Sequence, residues 1–202
     1  MTYIEGGACE LVSRKQVTYK SFPTLATAMS GLRVPDAILD GEIVCLDKFG
    51  RSLFLDLMRR RRQHAAFYAF DLLFHDGEDL RGLPLTERKR RLRRLIRASR
   101  NERLLYADHI ESRGVDFFRA ICERDCEGIV AKHRLGTYTA RPATWYKVLN
   151  PAYTQKRGRR EMFQRQGDMA QLASTTGVQF IEVERGDRAI LGKWLADEKV
   201  SR

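Results

Sequence analysis

Glu127-Gly128-Ile129-Val130-Ala131-Lys132, followed closely by Trp145-Tyr146-Lys147-Val148-Leu149, is the stretch from which the fold and the chemistry read outward. Each half is an apolar, β-prone run with charge planted inside it. Glu127 opens the first and Lys132 closes it, while Lys147 stands between an aromatic pair and Val148-Leu149. A strand with one face on a core sends alternate side chains the other way, so both segments can aim a charged group at one ligand. A carboxylate suits a divalent metal, and two ammonium groups suit phosphate oxygens. Phosphoryl or nucleotidyl transfer asks for that combination, because charge neutralisation around a phosphate is most of the work. Taken singly, each of these charges reads more simply as a solvated residue on a strand edge.

Two upstream runs make the single-residue reading less economical. Ala37 to Asp47 is an apolar strand interrupted by Asp40-Gly41-Glu42. Carboxylates in such a run are costly to bury unless bonded, and Gly41 permits a bulge or a close backbone approach. Phe67 to Phe74 reads as the buried strand of the protein. Strict alternation places Tyr68, Phe70 and Leu72 on one face and Phe67, Ala69 and Asp71 on the other. An aromatic ring offers a planar base stacking area at little entropic cost, although a pair of core aromatics would look the same.

The rest of the chain supplies a frame. Residues 2 to 20 read as a hairpin around a Gly6-Gly7 turn. A helix runs from Ser21 to about Leu32, capped by Ser21 or Thr24, with Leu25, Ala28, Met29 and Leu32 as its stripe. A second covers Leu53 to Arg62 and ends in four arginines, either a solvated face or a contact with a nucleic-acid backbone. His75 to Glu78 is a turn, and Thr86 caps a helix from Glu87 to about Arg100. Leu92, Leu95 and Ile96 form the inner stripe of that helix, and its many arginines read as exterior or as a docking surface. Leu104 to Tyr106 is a short strand, and Val115 to Arg124 a helix with Phe117, Phe118 and Ile121 inward.

At 202 residues, with 43% hydrophobic and 31% charged residues, the composition is that of one globular domain with a tail. No run approaches the roughly 18 apolar residues of a membrane span, and Met1 to Gly7 lacks signal-peptide features, so a cytoplasmic location is expected. Cys9, Cys45, Cys122 and Cys126 have no zinc-site spacing and read as reduced thiols. The net charge of +11 points to a polyanionic partner, although a general excess of arginine is a competing explanation.

Taken in order, Leu39 to Val44, Phe67 to Leu73, Glu127 to Lys132 and Trp145 to Lys147 resemble the nucleotidyl-transfer motifs of ATP-dependent DNA ligases, closest to the bacterial end-joining type, and Leu11 to Arg14 resembles the family segment whose arginine contacts the nucleotide or its phosphate. The likeness covers roughly residues 3 to 163, including Asn150 to Gln155 and Gly158 to Phe163. It implies an α+β fold, antiparallel sheets flanked by helices, as in the nucleotidyltransferase (ATP-grasp-like) domain shared with capping enzymes. It divides the chain into a partial adenylation domain, residues 1–163, and a tail, residues 164–202, that is not an OB-fold. By resemblance, Phe70 stacks on the adenine of ATP (bound as AMP) with Asp71 holding the local geometry, and Glu42 holds the ribose. Arg14, Lys147 and, more weakly, Lys132 meet phosphate, and Glu127 positions magnesium. The implied substrate is nicked double-stranded DNA, in repair and recombination.

The sequence also departs from that pattern. Enzymes of the family attack ATP with a lysine in a Lys-x-Asp-Gly motif, and a lysine with an ordinary pKa near 10.4 needs a tuned site to do so. Two residues before Asp40-Gly41 stands Ile38, and before Asp76-Gly77 stands Phe74, so the nucleophilic lysine is absent. The chain is expected to start downstream of that motif, unless a separate polypeptide supplies it. A second lysine usual in the last motif is replaced by Leu149. Alternatives are a non-catalytic basic module that binds nucleic acid or a partner, and an RNA ligase or capping-type nucleotidyltransferase.

Overall fold

A computed structural model describes residues 1–32, 34–46, 64–111, 113–124, 126–138 and 145–153. The expected helix at Leu53 to Arg62, its arginine run and the tail 164–202 lie outside the described residues. In chain order the elements are β1 (Thr2–Glu5), β2 (Ala8–Leu11), α1 (Pro23–Ser30), β3 (Asp36–Cys45), β4 (Ala65–His75), β5 (Glu78–Asp79), α2 (Leu85–Ser99), β6 (Leu104–Tyr106), α3 (Gly114–Glu123), β7 (Gly128–Lys132) and β8 (Trp145–Leu149). The expected α+β class holds, with every strand pairing antiparallel except β6 on β4.

The larger sheet runs β2-β1-β3-β4-β5, and β6 also pairs with β4. Gly6 and Gly7, at φ 53° and 80°, turn β1 into β2 as the hairpin reading requires. β4 is central. Its far edge is shared by two short strands, β6 opposite Phe67 to Ala69 and β5 opposite Phe74 and His75. Helices α1 and α2 lay Phe22, Leu25, Met29, Leu92 and Leu95 against Leu39, Phe67, Ala69 and Leu72 of the sheet. Each such side chain removed from water contributes about 1.5–3 kcal/mol before entropy is counted. The smaller sheet pairs β7 with β8, and Ile129 packs with Phe117 and Ile121 of α3.

Two helix starts differ from the sequence reading. Neither Ser21 nor Thr24 caps α1: Phe22 occupies that position, and Pro23 begins the helix with no N–H to satisfy. Nor does Thr86 cap α2, whose boundary residue is Pro84. The amides of Leu85 and Thr86 donate instead to the carbonyls of Gly136 (3.0 Å) and Arg134 (3.1 Å), so a neighbouring loop replaces the side-chain cap.

Candidate nucleotide site

β3 keeps a regular alternation. Ala37, Leu39, Ile43 and Cys45 join the main core, which leaves Asp40 and Glu42 on the other face. β4 does not. Its pairing with β3 jumps from Gly41 opposite Ala69 to Asp40 opposite Asp71, so Phe70 is an inserted residue in a β-bulge. Phe67 and Ala69 face the core before the bulge and Leu72 after it. The expectation that Asp71 shares a face with Phe67 and Ala69 is therefore overturned, because one extra residue reverses the parity. Asp40, Glu42, Phe70 and Asp71 occupy the same side. Gly41 makes this packing possible, since a Cβ there would lie 2.5 Å from the Phe67 ring and 2.6 Å from the Tyr68 carbonyl oxygen.

Charges on that side are held, not loose. Glu42 is only 6% exposed and pairs across the ladder with Tyr68. Asp71 receives both prongs of the Arg88 guanidinium, at 2.8 and 2.9 Å. Arg88 donates further to the carbonyls of Leu83 and, at 3.1 Å, Gly136. The Tyr138 hydroxyl donates to Asp40 Oδ2 at 2.9 Å. Burial pushes the Asp40 carboxyl above its ordinary range, partly offset by that hydrogen bond and by the Lys132 charge. Burial and the adjacent Asp40 in turn push the Tyr138 phenol well above its usual value.

The smaller sheet brings the other charges. Val130 stands opposite Lys147, so the two side chains share a face, and Lys132 follows on that face two residues along. Ile129 points the opposite way, into the cluster with α3. The Lys132 ammonium lies 4.5 Å from the centroid of the Phe70 ring, a cation–π contact that joins the two sheets at the bulge. Lys147 Nζ lies 3.1 Å from Glu127 Oε1, at the end of β7 away from Lys132. Gly128 allows the strands to close there, because a Cβ would overlap the Val148 carbonyl oxygen.

Glu42, Phe70 and Lys132 are thus gathered about the bulge, and Glu127 and Lys147 are paired at the other end of the small sheet that carries Lys132. Arg14 is exposed in the turn after β2, and no described contact ties it to the others. Among the described residues no three His, Cys, Asp or Glu side chains cluster tightly enough to cage a metal. A lone carboxylate such as Glu127 could supply one oxygen ligand to a magnesium ion, an ion that commonly takes only one or two carboxylates from the protein. Sequence reasoning missed Arg88, Lys89 and Tyr138. The first two were absorbed into a basic helix face, yet both are buried; their one available signal was their position in the first turn, ahead of the Leu92 stripe.

Comparison with known proteins identifies the family of the chain. Residues 1–148 match the family described as ATP dependent DNA ligase domain. The chain is 31% identical over 154 residues to the multifunctional non-homologous end joining protein LigD of Pseudomonas aeruginosa, covering 73% of this chain and 18% of that protein. A DNA ligase of Aeropyrum pernix is 35% identical over 148 residues, 64% of this chain and 24% of its own length. This chain thus spans about a fifth to a quarter of those relatives. The crystal structure of the ligase domain of M. tuberculosis LigD superposes with a TM-score of 0.63 at 30% identity, over 73% of this chain and 49% of that one. A mycobacterial DNA ligase D complexed with ATP and MES superposes with a TM-score of 0.62, covering 72% of this chain and 49% of that one. With its motifs in order on a matching fold, the chain belongs to the ATP-dependent DNA ligase family.

Proposed function

We propose that these residues form the nucleotide-binding part of a DNA ligase of the bacterial end-joining type, acting on nicked double-stranded DNA in repair. The Phe70 ring takes the adenine and Glu42 the ribose hydroxyls. Lys132 and Lys147 neutralise phosphate oxygens, with Arg14 a further contact. Glu127 would hold a magnesium ion, which when bound would supply charge neutralisation at the phosphates. The single observation that carries the reading is Lys132 over Phe70: two motifs more than sixty positions apart in the sequence meet from different sheets.

No Lys-x-Asp-Gly run occurs in the 202 residues. By themselves they hold and orient the nucleotide without forming a lysine–AMP bond, and an attacking lysine would have to come from residues outside them. Titrating the chain with ATP and magnesium in a calorimeter tests the first half of the reading: binding should weaken in Phe70→Leu and in Lys132→Met. Incubation with labelled ATP tests the second half, and an acid-labile AMP adduct on this chain would refute it. The net charge of +11 favours one other reading, a basic module that retains nucleic acid without nucleotide. Retention of DNA by a chain that does not bind ATP would select that alternative, and preference for nicked RNA over nicked DNA would select an RNA-directed relative.

A further inference from the structure

β4 is bulged at the residue proposed to carry the base, and its far edge there lies between two short strands. β6 pairs as far as Ala69 and β5 begins at Phe74, so among the described residues neither strand pairs with Phe70. The side chain of Lys89, from the first turn of α2, enters at that point. Its ammonium donates to the Phe70 carbonyl at 3.3 Å and to the Ala107 carbonyl at 2.9 Å. It also lies 5.0 Å from the centroid of the Tyr106 ring. Lys89 is 1% exposed, and an ammonium taken out of water must be repaid by bonds such as these to the two carbonyls. The next residue along the helix toward its start, Arg88, fixes Asp71, the other residue of the bulge.

We infer that Lys89 is a positioning residue for base recognition: by gripping the Phe70 carbonyl across the gap between β5 and β6, it sets the bulge that turns the Phe70 ring toward Lys132. The inference rests on the proposed role of Phe70. Lys89 acts on the base site through the Phe70 carbonyl, so its effect should reach the base and spare the phosphates. A bulge that relaxes moves the ring, whereas Lys147 and Glu127 hang on a different sheet.

The test uses the full chain and two probes, ATP and inorganic tripolyphosphate, each with magnesium. In Lys89→Met, ATP affinity should fall by about tenfold, a loss of the size of one hydrogen bond to a charged group, while tripolyphosphate affinity stays within about twofold. Lys89→Gln, which keeps one N–H donor, should lie between Lys89→Met and the unaltered chain, and it decides the matter if Lys89→Met does not fold. Equal weakening toward both probes would mean a general structural role and overturn the inference. If Phe70→Leu loses ATP affinity and neither Lys89 variant does, the inference falls while the proposed function stands. If the unaltered chain takes tripolyphosphate as well as ATP and Phe70→Leu changes nothing, the proposed function falls first and takes this inference with it.

Discussion

Arg88 grips both carboxylate oxygens of Asp71 with side-chain exposures of 3% and 2%, so the ion pair is sealed inside the protein. Removing one partner strands the other. Arg88→Met should cost about 3–5 kcal/mol, read from urea unfolding, because an uncompensated carboxylate remains buried. Asp71→Leu combined with Arg88→Met should recover most of that loss. Arg88→Lys should remain impaired, since an ammonium cannot reproduce the fork that also reaches Leu83 and Gly136.

The Glu127–Lys147 pair behaves differently because water reaches it. Side-chain exposures of 18% and 33% put it in the class worth no more than about 1 kcal/mol to stability. Lys147→Met should therefore melt near the unaltered chain yet bind ATP about tenfold more weakly, the worth of one charge-assisted contact. A large drop in melting temperature with unchanged ATP affinity would assign the pair to the fold instead of the ligand.

Two glycines are fixed by space. Gly128→Ala would drive a Cβ into the Val148 carbonyl oxygen, and Gly41→Ala would drive one into the Phe67 ring and the Tyr68 carbonyl. Each should destabilise by about 3 kcal/mol or unfold the chain, as overpacking against backbone does. Circular dichroism melts of the two variants, beside Gly82→Ala where a Cβ meets open space, provide the comparison.

Asp40 makes stability depend on pH in the opposite sense to an ordinary paired carboxylate. Its folded pKa is raised above 3.8 by burial, so the folded chain takes up a proton before the unfolded chain does. The cost of its ionisation is present at neutral pH and is relieved as pH falls from the raised value to 3.8. Tyr138→Phe removes a bond that favours the ionised form, so it should cost about 1 kcal/mol at pH 7 and move that window upward. Asp40→Asn should flatten it. Denaturant midpoints between pH 7 and pH 4 would show both.

Sequence pattern carried the element order well, because long apolar runs such as Ala65 to His75 and the Leu92 stripe leave little choice. The order of motifs also grouped Phe70 with Lys132, two side chains that lie in contact in the fold, which no local signal could do. The bulge at Phe70 was out of reach: nothing in Phe67-Tyr68-Ala69-Phe70-Asp71-Leu72 marks an inserted residue, and the reversal of faces follows from its partner strand. The buried cations of α2 were hidden for a related reason. In a helix where arginine is everywhere, only their place in line with the Leu92 stripe sets Arg88 and Lys89 apart from Arg94 and Arg97 before packing is seen.

The divided flank of β4 has a bearing on self-association. Open strand edges recruit other chains, and a long apolar strand is the most dangerous edge a sheet can offer. Here that strand is walled on one side by β3 and on the other by two stubs arriving from opposite directions, with a lysine plugging the seam. Amyloid-like stacking therefore finds no template in the larger sheet's most hydrophobic member. The hazard passes to β8, where Trp145, Tyr146, Val148 and Leu149 stand in water.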